Sequence, residues 1–219
     1  MLRTSGRDRC HDFTCVDSTD VGFTKVELEA FRDGSVPDLV GPEPRLVFVG
    51  INPGLWTAAT QTHFARPGNR FYPALRLAGI IDRTVDPATG LTDDDRAYFL
   101  ARGLGNTNLV NRATARADEL TADELRAGRT RLEAFVAAHR PRVLAVAGIT
   151  AYRTAFADPR ATTGEQPRGL FGSRLWVVPN PSGLNAHDTV ASLAAAYAGP
   201  ARAAGLLPVV EDGGEDPDR

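Results

Sequence analysis

Lysine is almost missing from this chain: Lys25 is the only one, so nearly all positive charge is arginine. An arginine at any given place is for that reason weak evidence of a special role. Cysteine is also scarce. Cys10 and Cys15 are the only two, too few to complete a four-cysteine zinc or iron–sulfur site. Even with His11 beside them, a pair of reduced thiols on an N-terminal arm is the simpler reading. No stretch is long and apolar enough to span a bilayer, and the first residues are polar and charged where a signal peptide would be apolar. A soluble, cytoplasmic protein is expected. Chemical motifs are missing as well. No Gly-x-Gly-x-x-Gly follows a strand and no phosphate-cradling loop ends in Gly-Lys-Ser/Thr, which weighs against dinucleotide binding and nucleotide hydrolysis. No His/Glu…Cys-x-x-Cys set exists for a zinc deaminase. No Gly-x-Ser-x-Gly elbow is present, and no cysteine sits in a loop leaving a strand.

What is present fits one domain: 219 residues bury a substantial core without staples. The net charge of −2 is unevenly spread. Val209 to Arg219 holds Glu211, Asp212, Glu215, Asp216 and Asp218 against Arg219, so it contributes −4 and leaves +2 on the remainder. Three segments carry arginine and no acid: Gln61 to Ala78 (Arg66, Arg70, Arg76), Gly103 to Ala117 (Arg112, Arg116) and Gln166 to His187 (Arg168, Arg174). Such segments suit an anionic ligand.

Residues 1–22 show no periodicity and are expected to form a flexible arm, residues 23–207 a single domain, and residues 208–219 a disordered acidic tail. Thr24-Lys25-Val26-Glu27 and Thr121-Ala122-Asp123-Glu124 have the form of capping boxes. The first opens a short helix to Arg32; the second opens a longer one with Leu125, Leu132, Phe135 and Val136 inward. Asn69 to Ala78 carries Phe71, Leu75 and Ala78 at helical spacing, with Pro73 in the tolerant first turn. Thr92 followed by three aspartates starts another helix. Thr150 to Phe156 reads as a short helix, and about Asp188 to Tyr197 as an Ala-rich one interrupted at Pro200. Strands are expected at Arg45–Ile51, Asn106–Val110, Val143–Ala147 and Arg174–Val178. Leu55 to Gly68 reads as a loop. The alternation gives an α/β fold: a three-layer α/β/α sandwich around a short, mainly parallel sheet.

In a parallel sheet the loops leaving the strands lie on one edge, where such folds bind ligands. Three of those loops carry amides and hydroxyls: one holds Asn52, one Thr107 and Asn108, one Asn180 to Leu184. A cleft of amides, hydroxyls, backbone groups and aromatics positions water and binds a neutral, planar group. It supplies no strong base.

Gly50-Ile51-Asn52-Pro53-Gly54, then His63-Phe64-Ala65-Arg66-Pro67-Gly68-Asn69-Arg70-Phe71, then Asn180-Pro181-Ser182-Gly183-Leu184 resemble the mismatch-specific uracil/thymine-DNA glycosylases, the Mug/TDG family of the uracil-DNA glycosylase superfamily. The likeness runs from about Val36 to Leu207, with the motifs in the family's order. It implies a uracil-DNA glycosylase-like fold and a monofunctional enzyme that works without metal or cofactor. Such an enzyme flips a mismatched or damaged base from double-stranded DNA, chiefly opposite guanine, and hydrolyses its glycosidic bond to start base excision repair. It would act as a monomer, nucleoid-associated in the cytoplasm. Asn52 matches the catalytic asparagine, whose carbonyl oxygen aims a water at the sugar. Ile51 (through its backbone amide), Phe64 (through its ring and amide) and Asn108 match base-binding positions, and stacking on a base is worth ~1–3 kcal/mol. Asn180, Pro181, Ser182, Gly183, Leu184 and Asn185 match the loop that reads the opposite base and wedges the duplex, with Leu184 filling the hole.

The chain departs from well-known members in places. Asn108 stands where some carry lysine, and Asn185, Ala186 and His187 differ from their Ser-Arg, which bears on the strictness of opposite-base recognition. His63 is expected at the surface. Alternatives are a superfamily glycosylase for hypoxanthine or ethenocytosine, a base-sensing module that does not cut, and a nucleotide-metabolism enzyme sharing only the sheet.

Overall fold

The computed structural model describes residues 22–208; the expected arm and acidic tail, with Cys10, His11 and Cys15, lie outside them. The chain runs α1 (Lys25–Glu29), β1 (Leu46–Gly50), α2 (Leu55–Thr60), α3 (Phe71–Leu77), α4 (Asp93–Ala101), β2 (Leu104–Asn108), a 3-10 turn (Ala117–Glu119), α5 (Ala122–His139), β3 (Val143–Ala147), α6 (Ile149–Phe156), β4 (Gly164–Glu165), β5 (Arg174–Val178) and α7 (Val190–Ala203). The sheet order is β2-β1-β3-β5-β4. Its first four strands are parallel, and β4 pairs antiparallel with β5. The chain leaves β1 toward β2 and returns to β3 on the other side, so β1 marks the point where the winding reverses. In open α/β sheets that point opens a crevice at the C-terminal strand ends.

Alternate residues of the central strands feed two cores. Leu46, Phe48, Ala145 and Val178 face α3, α4 and α7 through Phe71, Leu75, Phe99, Leu193 and Tyr197. Val47, Val49, Leu144, Val146 and Val177 face α5 and α6 through Leu132, Phe135, Val136 and Tyr152. Each such Val, Leu or Phe side chain contributes ~1.5–3 kcal/mol by leaving water, and strands buried on both faces explain the unbroken apolar runs. The sandwich read from the alternation of elements is the one observed. The Thr24 and Thr121 capping boxes both form, and Thr92 caps α4.

Four local expectations fail. Leu55–Thr60, read as loop, is helix α2; it starts at Gly54 with no side-chain cap and is too short to show a period. Strand β2 begins and ends two residues early, at Leu104–Asn108. Thr107 is held by Asp38 and Arg131 and Asn108 by His63, partners that no apolar pattern announces, while the Asn106 side-chain amide is buried without a hydrogen-bond partner among the described residues. The edge strand β4 is only two residues long and was not foreseen. Helix α7 is not interrupted at Pro200. A proline inside a helix costs about 3 kcal/mol, but here it removes one amide while Leu193, Tyr197 and Ala201 are fully buried around it. The turn beyond is closed by the Ala204 amide donating to the Pro200 carbonyl.

Both edges of the sheet are blunted. At β2, Leu39 exchanges two backbone hydrogen bonds with Asn106 (2.9 and 2.8 Å). At the other edge, β4 ends after two residues and Glu165 forms an ion pair with Arg174.

Candidate active site

A cleft of about 380 Å³ opens at the C-terminal ends of the strands. Its floor is Gly50, Ile51 and Ala147; its walls include Asn52, Phe64, Asn108 and Thr114; its rim carries Arg66, Asn180, Ser182, Leu184 and Asn185. All three expected loops thus reach the cleft, the first through Asn52, the second through Asn108 and the third through Asn180, Ser182 and Leu184. Thr107 does not join them. Its hydroxyl donates to Asp38 Oδ1 (2.6 Å) on the other face of β2, where Arg131 clamps Asp38 and the Asn108 carbonyl. Adjacent strand residues point to opposite faces, so Thr107 and Asn108 could not both face the cleft.

Asn52 lies just beyond β1, where Pro53 and Gly54 turn the chain. Its amide nitrogen donates to the Thr114 hydroxyl oxygen (2.7 Å), the Arg112 carbonyl (2.9 Å) and the Pro53 carbonyl (3.2 Å). The Thr114 hydroxyl donates in turn to the Arg116 carbonyl (2.7 Å), so it meets Asn52 as an acceptor. An amide has two N–H bonds and one carbonyl; here the donor end is fully occupied and the oxygen end is left for the cleft. The supporting segment is itself anchored. Arg112 pairs with Glu124 (2.7 Å) and Asp33 (2.9 Å), and the Arg112 guanidinium, with Thr121 behind it, pushes the Glu124 carboxyl down to about 2.

Between Asn108 and Phe64 the cleft is kept open by Gly50. A Cβ there would lie 2.5 Å from Asn108 Oδ1 and 3.5 Å from the Phe64 ring, so any side chain would fill the space. Phe64 stacks on Phe71 with centroids 4.1 Å apart and planes 23° from parallel. It is held at φ +59°, a left-handed conformation costing ~1–3 kcal/mol in a non-glycine residue. The backbone amides of Ile51 and Phe64 donate to no acceptor among the described residues.

His63 is 3 % exposed, against the expectation of a surface histidine. Its Nε2 lies 3.1 Å from the Pro37 carbonyl and its Nδ1 3.4 Å from Asn108 Nδ2. A carbonyl only accepts, so Nε2 carries the proton and Nδ1 accepts from Asn108. Burial pushes the imidazole below its usual value, keeping it neutral. The Asn108 amide is oriented as a result: nitrogen toward His63, oxygen toward Gly50 and the cleft.

The rim loop sorts its residues differently. Pro181 and Gly183 do not line the cleft. A Cβ on Gly183 would meet the Gly68 carbonyl oxygen at 2.8 Å. Asn180 Oδ1 accepts from the Ser182 amide (3.0 Å), and Asn185 Nδ2 donates to the Asn180 carbonyl (3.0 Å) and Asp188 Oδ2 (2.7 Å). Leu184 is the large apolar side chain of this loop that projects, 67 % exposed.

The acid-free arginine segments divide on folding, three of their seven arginines being ion-paired. Folding brings acids to them: Arg112 meets Asp33 and Glu124, Arg116 meets Asp118, and Arg174 meets Glu165. Arg70 and Arg76 turn to backbone carbonyls. Arg66 and Arg168 make no ion pair among the described residues, and Arg66 stands at the cleft rim. Sequence reasoning missed Thr114 and the inward role of His63; only their places beside Arg112 and Phe64 could have drawn attention to them.

Among the described residues no three His, Cys, Asp or Glu gather as metal ligands, and no helix is long and apolar enough to cross a membrane. The deepest part of the cleft is uncharged, and its polar groups are an oriented amide oxygen, a second amide oxygen and two open backbone N–H groups. That set suits a flat heterocycle with carbonyls and an N–H, next to a site for one water. The family model described as the uracil DNA glycosylase superfamily matches residues 37–198, a span that includes every one of these groups, and the chain belongs to that superfamily.

Proposed function

We propose that the chain is a monofunctional uracil-DNA glycosylase of the mismatch-specific, Mug/TDG kind, acting chiefly on uracil opposite guanine in duplex DNA. The observation that carries the reading is the Asn52 side chain, whose N–H bonds are occupied by Thr114, Arg112 and Pro53. The free Oδ1 accepts a hydrogen bond from a water and aims it at C1′ of an extruded nucleotide. An amide is no base near neutral pH, so the rate gain comes from positioning and from stabilising charge. As the glycosidic bond breaks, the sugar gains oxocarbenium character and the leaving base gains negative charge. The Ile51 and Phe64 amides donate to the base carbonyls, where that charge collects. Asn108 Oδ1, fixed by His63, accepts from the base N–H, which suits uracil better than cytosine. Phe64 stacks on the ring, and Leu184 occupies the gap left in the duplex.

Residues 23–207 are proposed to carry the whole activity, as a monomer associated with the nucleoid. The test is incubation of the full chain with labelled duplexes holding G·U, G·T, A·U, hypoxanthine or ethenocytosine, and with single-stranded uracil, scored for alkali-labile abasic sites. Excision should be fastest on G·U, should persist with chelator, and should leave strands intact without alkali. Fastest release of hypoxanthine or ethenocytosine would instead assign another lesion. Tight duplex binding without release of any base would make the protein a sensor.

A further inference from the structure

One arginine receives the whole rim loop. Arg70, the residue before α3, donates its backbone N–H to the Pro181 carbonyl (3.0 Å). Its guanidinium donates to the Ser182 carbonyl (2.6 Å), the Asn185 carbonyl (2.5 Å) and the Asp188 carbonyl. Four carbonyls spread over eight residues therefore converge on a single side chain and its own amide. No carboxylate joins them: the Asp188 carboxylate is taken by Asn185 and Ser192, and Arg70 forms no ion pair among the described residues.

The difference between a carboxylate and carbonyls matters. A carboxylate would neutralise the guanidinium whatever shape the loop took. Carbonyls supply enough negative potential only when several point inward at once, which happens for one curvature of the chain. Without the cation those peptide dipoles repel one another and the loop opens. The loop is also seated directly on the segment that carries Arg70, since Gly183 leaves no room for a Cβ above Gly68. The next residue along, Phe71, is the ring on which Phe64 stacks.

We infer that Arg70 is a positioning residue that fixes Leu184 over the cleft and ties the wedge loop to the base-stacking platform, so that it governs action on duplex rather than on unpaired DNA. This rests on the wedge reading given to Leu184 above. Arg70 touches neither base nor sugar in this scheme.

The test compares wild type, Arg70→Gln, Arg70→Lys and Leu184→Ala as full chains, each on G·U duplex and on single-stranded uracil, with KM and kcat separated. Hydrogen exchange of residues 180–189 in the DNA-free proteins is measured alongside. Arg70→Gln should raise KM on duplex by about tenfold or more while changing the single-strand KM by no more than about twofold. Its loop amides should exchange faster, and Arg70→Lys, which keeps the charge and can reach some carbonyls, should recover part of both effects. Leu184→Ala should share the duplex defect but leave loop exchange as in wild type. Unchanged exchange in Arg70→Gln, or equal losses on both substrates, overturns the assignment to Arg70. If Leu184→Ala shows no duplex defect, the wedge reading itself falls, and accelerated exchange in Arg70→Gln then reduces Arg70 to a support of the loop alone.

Discussion

Two asparagine-bearing loops leave the same sheet edge and use the same side chain in opposite ways. At Asn52 the nitrogen is consumed by Thr114, Arg112 and Pro53 and the oxygen is left open. At Asn185 both ends are consumed within the loop: the nitrogen by Asn180 and Asp188, the oxygen by the His187 amide (3.1 Å). An asparagine with one satisfied end is a tool, and one with two satisfied ends is a strut. Residue type at a loop does not distinguish them; their hydrogen-bond partners do.

The strongest way to break the contrast is Asn52→Ala. It removes the oxygen proposed to aim the water and should lower the single-turnover rate on G·U by ~10²–10³, as losing one preorganised catalytic group commonly does. Duplex affinity should change little, because in the proposed mechanism the oxygen acts mainly in the transition state. A near-normal rate would remove Asn52 from the chemistry. Leu184→Ala should come next, weakening duplex binding by about tenfold, equivalent to ~1.4 kcal/mol. A loss of the same size on unpaired uracil would mean that Leu184 plugs nothing.

Thr114→Val keeps the shape but takes away the acceptor that orients Asn52. A neutral hydrogen bond is worth ~1 kcal/mol, so kcat should fall about fivefold with KM steady. An unchanged kcat would show that Arg112 and Pro53 suffice. Asn185→Ala sharpens the comparison from the other side. It should lower thermal stability, measured by melting, and leave the chemical step on unpaired uracil within about twofold; a collapse of that step would make Asn185 more than a strut.

The smallest effect is a pH dependence. His63 is buried beside Asp38, Arg131 and Arg96, and desolvation is the main cause of its lowered value. Above the ordinary histidine value of 6.5 both folded and unfolded chains hold it neutral. Below that the unfolded chain takes up a proton first, so this contribution to stability is complete above about pH 6.5 and is lost as the pH falls toward the folded value. His63→Gln should flatten part of the drop in melting temperature between pH 7.5 and 5.5. Equal drops in both proteins would show that other groups dominate.

Much of the frame was legible because its causes are local. The Thr24 and Thr121 capping boxes need only four residues each, β3 is an unbroken apolar run, and β5 is one after its first residue, Arg174. The cleft was legible at Asn52 and Asn108 because strand ends in a parallel sheet must share an edge. What escaped was set by distant partners. Strand alternation sends Thr107 and Asn108 to opposite faces, but which of them meets the cleft is matched to distant groups, Asp38 for Thr107 and His63 for Asn108, and His63 itself turns inward toward Pro37. Arg112 and Arg174 look unpaired until the fold brings Asp33, Glu124 and Glu165 beside them. Pairings of that kind leave no period in the sequence, so no pattern search finds them.

The blunted sheet edges bear on behaviour at high concentration. A free edge strand offers a row of open N–H and C=O groups on which another chain can grow, the usual start of fibrous aggregation. Here Leu39 occupies both backbone groups of Asn106 at one edge. The other presents two residues beside a charged Arg174–Glu165 pair. Neither edge is a template of the length that templated growth needs, so copies crowded together should be able to collide and part without exchanging strands.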